Sequence, residues 1–96
     1  MISNREKRRL LAEGMREKAR VYIGRNGITE RIHRLYDEAW IGTCVRPYPV
    51  NLIRVHVQYG CTMTPREVVD EIERRHPGSE CVGMRDRDII FRRENV

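Results

Sequence analysis

The stretch that decides the fold is RVYIGRNGITERIHRLYDEAW, residues 20–40. Val21–Ile23 predicts a short strand, because branched and aromatic side chains suit a pleated surface. Two glycines three positions apart, Gly24 and Gly27, end this strand in a four-residue loop. A helical pattern of apolar residues begins at Ile28. The stretch therefore predicts a strand, a glycine loop and a helix in direct succession.

The helix after the loop has one apolar face. Thr29 is a candidate for its N-terminal cap. Arg31 and Arg34 lie outside the apolar arc and, being three apart, are neighbours on the helix surface. Ion pairs from Arg34 to Glu30 and Glu38 would explain Arg34 without any bound partner. The residues that fall in the arc, and that we expect to face the core, are Ile28, Ile32, Leu35, Tyr36, Ala39 and Trp40.

Patterns on either side of this stretch complete a small α/β domain. Before this stretch, the pattern predicts a helix over about 4–18. After it, the sequence predicts an irregular loop over 41–51, a strand over 52–59 and a helix capped by a Thr64–Glu67 box. Two closing strands follow, over 80–85 and 88–92. In the strand over 52–59, every second residue is expected to be buried, namely Ile53, Val55, Val57 and Tyr59. The order predicts a single domain over residues 1–96, with a four-stranded mixed sheet and packed helices.

Composition excludes several classes of protein. No apolar run reaches the roughly 18 residues of a membrane span, and the first residues lack the apolar core of a secretory signal. We therefore expect a cytoplasmic protein that does not enter a membrane. Three cysteines, Cys44, Cys61 and Cys81, form no C-x-x-C pair, so the sequence predicts neither a metal site nor a cofactor.

Positive charge is concentrated in the first third of the chain. The formal net charge is +5, but residues 1–36 hold ten Lys or Arg against four Asp or Glu, a net +6, while residues 37–96 hold nine against ten, a net −1. Seventeen of the 19 basic residues are arginine, whose planar guanidinium suits phosphates and bases. Such a surface fits a polyanionic partner. A solvated face that keeps the protein soluble explains the charge equally well.

The glycine loop has the chemistry of a phosphate clamp. Glycine exposes backbone N–H groups without obstruction, and the start of the following helix adds unpaired N–H groups and partial positive charge. Arg25 and Asn26 at the tip would supply further contacts. KH domains hold single-stranded nucleic acid with a loop of the same G-x-x-G spacing. A tight turn with no ligand is the simpler alternative.

Two blocks of the sequence resemble the CRM domain, the chloroplast RNA splicing and ribosome maturation domain whose free-standing copies are the YhbY-like proteins. They are I-G-R-N-G-I-T-E at 23–30 and the closing strand that ends in F-R-R at 91–93. The resemblance extends from about Asn4 to Arg93. It implies RNA binding through the loop Gly24–Gly27 and a fold similar to the C-terminal domain of bacterial translation initiation factor three. It also implies that stand-alone members associate with precursors of the large ribosomal subunit.

The leading interpretation is a non-catalytic protein that binds RNA, specifically ribosomal RNA or pre-ribosomal particles. The candidate RNA-binding residues are Gly24, Arg25, Asn26 and Gly27 in the loop, with Lys18, Arg20, Arg31 and Arg34 on the adjacent basic surface. Four residues of the first helix would extend that surface: Arg5, Lys7, Arg8 and Arg9. Arg54 and His56, on the polar face of a strand, are weaker candidates.

Two other classes of function compete with this interpretation. A protein-interaction module would present the basic helix to an acidic partner and use the loop over 41–51 for apolar contacts. A nuclease is disfavoured, because His33, His56 and His76 lie on different elements and no spacing brings them together. His33 is expected on a solvent-exposed face. Trp40 and Phe91 are expected in the core, so the sequence predicts no aromatic stacking platform and favours recognition of the RNA backbone.

Overall fold

A four-stranded mixed sheet with three helices makes up the computed structural model, which describes residues 3–41 and 50–94. Its elements, in chain order, are α1 (Asn4–Gly14), β1 (Ala19–Ile23), α2 (Glu30–Ile41), β2 (Val50–Val57), α3 (Pro65–Arg75), β3 (Ser79–Arg85) and β4 (Asp88–Glu94). This is the predicted order, and the predicted α/β fold class is confirmed.

The strand–loop–helix stretch becomes β1 and α2 and determines the topology. The strand order across the sheet is β1-β2-β4-β3. β1 pairs in parallel with β2, whereas β4 runs antiparallel to both β2 and β3. Parallel strands need a long crossover connection, and this one includes α2. β1 is therefore an edge strand, and the glycine loop leaves from the end of the parallel pair.

Helices cover both faces of the sheet. α1 packs on one face, where Leu10 lies in a small apolar cluster with Leu52, Val82 and Ile90. α2 and α3 pack on the other face over the main core. The strands contribute Val21, Ile23, Ile53, Val55, Val57, Ile89 and Phe91 to that core, and the helices contribute Tyr36, Trp40, Val68, Val69 and Ile72. Trp40 and Phe91 are thus buried as expected.

Side-chain caps start the helices. Thr64 Oγ1 accepts a hydrogen bond from the Glu67 N–H at 3.2 Å, and the Glu67 carboxylate accepts one from the Thr64 N–H at 2.9 Å, which confirms the predicted capping box. At α1, Ser3 Oγ accepts from the Glu6 N–H at 3.2 Å. The Glu6 carboxylate, however, pairs with Arg9 along the helix.

The first helix is shorter than predicted. It ends at Gly14, not near residue 18. Just after the helix, the Arg54 Nη1 of β2 donates hydrogen bonds to the backbone oxygens of Met15 at 2.9 Å and Glu17 at 3.1 Å. In a longer helix these oxygens would accept from backbone N–H groups of the helix itself. The chain is thereby turned from α1 toward the start of β1.

The buried face of α2 differs from the prediction at two positions. Leu35, expected in the core, is 38% exposed, while His33, expected in solvent, is only 6% exposed. The reason is that α2 meets polar side chains of α3 as well as the apolar sheet. His33 Nε2 lies 3.3 Å from a carboxylate oxygen of Glu71. The spacing of apolar residues alone cannot predict the burial of a polar side chain that has such a partner.

Two of the three histidines lie in contact, contrary to the sequence-based expectation. His33 Nδ1 and His76 Nε2 are 2.9 Å apart, and His76 Nδ1 lies 3.0 Å from the Asp37 carboxylate. His76 follows α3 directly, so a separation of 43 residues in sequence becomes a side-chain contact. Burial lowers the pKa of His76 despite the opposing effect of Asp37. The pair sits inside the junction of α2 and α3, which favours a structural role.

Two further expectations concern the chain around β2. Tyr59, expected to be buried, is 77% exposed because β2 ends at Val57 and the chain then turns. Of the predicted irregular loop over 41–51, Ile41 belongs to α2 and Val50 and Asn51 belong to β2, whereas 42–49 lie outside the described residues.

Within the described part of the chain, no helix has the length and apolar character needed to cross a membrane.

Tyr36 provides a test of the core. Burial raises the pKa of its phenol to about 12, against smaller lowering effects of Ser79 and Trp40. Because the pKa of an unfolded tyrosine is about 10, the stability that the neutral phenol contributes is complete below pH 10 and is lost as the pH rises toward 12.

We therefore expect the free energy of unfolding to fall by up to roughly 2–3 kcal/mol over that interval. Tyr36→Phe, which has no phenol to ionise, is the matched control and should show a correspondingly smaller alkaline loss. Denaturant unfolding at a series of pH values measures both proteins. An equal loss in both would contradict this account of Tyr36.

Candidate nucleic-acid interface

Three chain connections meet at one edge of the sheet, which we call the loop edge. Because β1 and β2 are parallel, both end there, and the β3–β4 turn lies there because β4 runs antiparallel to β2. Backbone hydrogen bonds join the three connections: Gln58 N–H donates to Ile23 O at 2.9 Å, and Val57 N–H donates to Arg87 O at 2.8 Å. The loop edge comprises residues 24–29, 58–64 and 86–87.

The glycine loop forms a tight turn at this edge. The Gly27 N–H donates to Gly24 O at 3.0 Å. Arg25 and Asn26 form the tip, and both are exposed. The structure therefore holds the two candidate polar side chains of the loop at the surface, directly before α2.

The loop requires glycine more strictly at position 27 than at position 24. Gly27 has φ +68°, a left-handed conformation that other residues rarely adopt, and a Cβ there would lie 3.0 Å from Met63 Sδ. A Cβ on Gly24 would lie 3.0 Å from Oε1 of Gln58, the movable end of a flexible side chain. Gly27 is thus required by the turn itself, whereas Gly24 leaves more room for substitution.

The start of α2 lies directly after the loop, and the Ile28 N–H between them donates to Met63 Sδ at 3.4 Å. Thr29 caps the helix: its backbone oxygen accepts from the His33 N–H at 3.1 Å, and its Oγ1 accepts from the Ile32 N–H at 3.4 Å. The N–H groups of the first helical turn have no partners within a helix and carry partial positive charge. Glu30 opposes this field, but Arg75 pairs with it at 3.0 Å and lowers its pKa through a hydrogen bond.

A basic groove lies at the start of β1, at the other end of this strand from the glycine loop. It has a volume of about 780 Å³ and lies between the start of β1 and α2. Arg16, Lys18 and Arg20 line one wall, and Leu35, Glu38 and Ala39 line the other. Because α2 runs back along β1, Arg31 and Arg34 lie about one helical turn closer to the loop than Leu35 and Glu38. The groove also contains the acidic residues Glu17 and Glu38.

The structure places the eight candidate RNA-binding residues in three groups, in the loop after β1, beside the start of β1 and on α2. Gly24, Arg25, Asn26 and Gly27 lie at the loop edge, Lys18 and Arg20 lie in the groove, and Arg31 and Arg34 lie on α2 between them. The side chains of Lys18, Arg20, Arg31 and Arg34 are all exposed. Arg16, which the sequence analysis did not select, joins them in the groove.

The basic residues at the start of α1 are not part of this groove. α1 packs mainly over β3, on the side of the sheet remote from β1. Lys7 lies 4.0 Å from Glu80 of β3, and Arg9 pairs with Glu6 within α1. Arg5, Lys7, Arg8 and Arg9 therefore do not line the groove, and their contact with RNA stays a prediction.

Arg54 and His56 serve the fold through a shared carboxylate. Arg54 Nε donates to Asp88 Oδ1 at 3.0 Å, and His56 Nδ1 lies 3.1 Å from the same oxygen. Burial raises the pKa of Asp88, but the hydrogen bonds from Arg54 and His56 outweigh it and hold that pKa below its usual value. Arg54 also binds the carbonyls that end α1, so its charge is largely engaged within the protein.

Sequence reasoning missed an exposed aromatic residue at the loop edge. The guanidinium carbon of Arg87 lies 4.8 Å from the centroid of the Tyr59 ring. Arg87 is itself held in place, because its Nε donates to Val57 O at 3.0 Å and its Nη2 donates to Gln58 O at 2.7 Å. The glycine at position 60 and the polar residue at 58 were the signals that the strand ends before Tyr59.

Metal-ligating residues do not cluster in the described part of the chain. Within residues 3–41 and 50–94, no group of three or more His, Cys, Asp or Glu side chains is arranged to hold a metal ion. Cys61 and Cys81 are both free thiols. Cys44 lies outside the described residues.

Comparisons with known proteins agree with this architecture. No curated protein matches the chain. Among solved structures, the fold is similar to the solution structure of a hypothetical protein from Staphylococcus aureus, described as a candidate RNA-binding protein, with a TM-score of 0.69 and 22% sequence identity over 100% of this chain and 92% of that one. At this identity the similarity establishes the fold alone.

The sequence itself identifies the family. The CRS1 / YhbY (CRM) domain family matches residues 2–93, which is nearly the whole chain of 96 residues. The two blocks that carry the resemblance, the glycine loop at 23–30 and the end of β4, both lie inside the matched range. The chain belongs to the CRS1 / YhbY (CRM) domain family.

Proposed function

We propose that this protein binds RNA without catalysing a reaction, and that it does so through the glycine loop and the basic groove. The observation that carries this proposal is the continuity between the two. α2 begins directly after the loop, and its residues Leu35, Glu38 and Ala39 line the groove, so this helix joins the two regions. We take the exposed side of α2 as the path between them. An extended phosphate backbone that follows this path meets a basic group at each stage.

The charge distribution supports the same partner. The excess of positive charge lies in residues 1–36, and five of its arginines and lysines border the path: Arg16, Lys18, Arg20, Arg31 and Arg34. Contacts of this kind neutralise phosphates and release counterions, so they favour any RNA regardless of its sequence. Specificity must then come from the shape of the RNA and from unpaired bases.

The family supports a role in ribosome assembly. The family resemblance implies that stand-alone members associate with precursors of the large ribosomal subunit, and the Staphylococcus aureus protein of similar fold is described as a candidate RNA-binding protein. A single weak clamp gains affinity when a large folded RNA offers several contacts at once. We therefore propose ribosomal RNA in large-subunit precursors as the target, and the cytosol as the compartment.

A catalytic role has little support in the site. The only histidines brought together within the described residues are His33 and His76, each 6% exposed and enclosed between α2 and α3. General acid–base catalysis on RNA would need such groups within reach of a bound phosphate or hydroxyl. The loop edge and the groove instead present arginine, lysine and backbone N–H groups, which bind charge.

The loop is tested best at its tip. Gly27 is a poor position for this test, because its positive φ and its contact with Met63 would make any side chain destabilise the turn. Asn26→Asp changes one exposed amide to a carboxylate with almost no change in volume. We expect RNA affinity to fall at least tenfold, about 1.4 kcal/mol, because a negative charge would face phosphate.

Asn4→Asp is the matched control for this change. It makes the same change in net charge on an exposed residue at the start of α1, remote from the loop edge. Affinities measured by fluorescence anisotropy should be close to wild type for Asn4→Asp. If both variants lose affinity equally, the effect is one of net charge and the loop does not contact RNA.

The basic side of α2 generates a second test, based on salt. Arg31→Gln and Arg34→Gln should each weaken binding and reduce the slope of log affinity against log salt by about 0.7 for single-stranded RNA. Arg74→Gln, on α3, is the control and should leave the slope unchanged. Arg75 is unsuitable as a control because it pairs with Glu30 at the start of α2. A larger loss of slope for Arg74→Gln would place the RNA on the α3 side.

The ribosomal target is tested by sedimentation of cell extracts through a gradient. We expect the protein to move with large-subunit or precursor particles at low salt and to be released as salt rises, since the proposed contacts are ionic. Immunodetection across the gradient measures this. Recovery only at the top of the gradient at low salt, or with small-subunit particles, would contradict the role in large-subunit assembly and leave RNA binding itself standing.

A further inference from the structure

We propose that Tyr59, supported by Arg87, is a stacking platform for one unpaired nucleobase of the bound RNA. This inference rests on the proposed RNA-binding function and adds to it a residue that distinguishes single-stranded from fully paired RNA. It also departs from the expectation, drawn from the sequence, that no aromatic platform exists. That expectation considered Trp40 and Phe91, which are indeed buried.

The position of Tyr59 is the first argument. The residue before it, Gln58, donates its N–H to the oxygen of Ile23, the last residue of β1 before the glycine loop. The side-chain oxygen of Gln58 lies against Gly24, and Met63 of the same connection lies against Gly27. The connection that carries Tyr59 is therefore packed directly on the loop that we propose to hold phosphate. A base attached to a neighbouring phosphate lies within reach of a side chain at this edge.

The exposure of Tyr59 is the second argument. Its ring is 77% exposed, more than any other large apolar or aromatic side chain in the described residues, whereas Tyr36 and Phe91 are fully buried. A large aromatic side chain in water gives up the favourable free energy of burial. Base stacking would recover it, because every nucleobase has an apolar face and stacking tolerates any base identity.

The support of the ring by Arg87 is the third argument. Two hydrogen bonds to backbone oxygens, at 3.0 and 2.7 Å, hold the guanidinium over the Tyr59 ring. The β3–β4 turn that carries Arg87 is itself fixed, with Asp86 at φ +57° and Arg87 O accepting from Val57 N–H. The guanidinium that contacts the ring is thus fixed, and contact with a fixed group reduces the conformational freedom that the ring loses when a base stacks on it.

The charge of Arg87 suits this partner and disfavours a purely apolar one. The guanidinium beside the ring offers an attraction to the phosphates that flank an unpaired base. Arg25 and Asn26 lie at the same edge of the sheet. An aromatic ring flanked by cations is the combination that binds single-stranded nucleic acid, in which the charges follow the backbone and the ring takes a base.

The test compares two ligands that differ only in their bases. One is a short oligoadenylate, and the other is an abasic ribose–phosphate oligomer of the same length and charge. Wild-type protein should bind the oligoadenylate about tenfold more tightly. Tyr59→Ala should remove that difference without weakening the abasic ligand, and Tyr59→Phe, which keeps the stacking face, should retain it. Circular dichroism confirms that the variants are folded.

Two further measurements make the outcome specific to stacking. In NMR spectra the ring signals of Tyr59 should shift upfield with the oligoadenylate and not with the abasic oligomer. Tyr22→Ala is the control, because Tyr22 is also exposed, at 54%, but lies on the sheet face against His56. It should leave the preference for bases unchanged.

The results separate this inference from the proposed function. If wild type binds both oligomers equally, or if Tyr59→Ala binds both with wild-type affinity, the stacking platform is wrong while RNA binding stands. A loss of base preference in Tyr22→Ala rather than in Tyr59→Ala would also overturn it. If wild type binds neither these oligomers nor a fragment of ribosomal RNA, the proposed function fails and the platform with it.

Discussion

The parallel pairing of β1 with β2 is the constraint on which the rest of the structure depends. Val21 pairs with Val55 and Ile23 with Val57, and all four side chains are almost completely buried. Because the strands are parallel, the chain must return between them through α2, and both strands must end at the same edge. The glycine loop, the connection that carries Tyr59 and the β3–β4 turn are brought together by this single pairing. Without it the basic groove would have no second wall, since α2 is held beside β1 by the same crossover.

The residues that stabilise the loop edge differ from those that we propose for binding. Gly27 adopts a left-handed conformation and packs against Met63, so the shape of the loop is set by packing within the protein. Its tip, by contrast, carries exposed polar side chains that contribute little to that packing. The same division separates Arg54, which is engaged by Asp88 and by the end of α1, from Arg31 and Arg34, which remain exposed. We therefore propose that the outward-facing charges of α2 are the ones available to RNA.

The sequence predicted the elements well, because each had its own local signal. The capping box at Thr64, the glycine loop and the alternation along β2 depend on neighbouring residues only, and all three features are present in the structure. The eight candidate RNA-binding residues also follow from local motif and charge, and they lie in the glycine loop, beside the start of β1 and on α2.

The failures share a different physical origin. His33 is buried because Glu71 and His76, which are distant in sequence, are hydrogen-bond partners of its ring nitrogens. The periodicity of apolar residues carries no information about such partners. Similarly, α1 ends at Gly14 because Arg54 of β2 binds the carbonyls beyond it, a contact over 37 to 39 residues. Tyr59 was assigned to the buried face because alternation was extended two residues past the true end of β2. Long-range polar contacts and strand ends were thus what the sequence could not reveal.

We propose that RNA lies along the loop edge and the groove beside β1. The most direct test of this proposal is a map of backbone amide chemical-shift changes during titration with a fragment of large-subunit ribosomal RNA. We expect the largest changes at residues 24–31, with further changes at 16–20, 59 and 87. Changes confined to α3 and to the outer edge at β3, with none in the glycine loop, would contradict it.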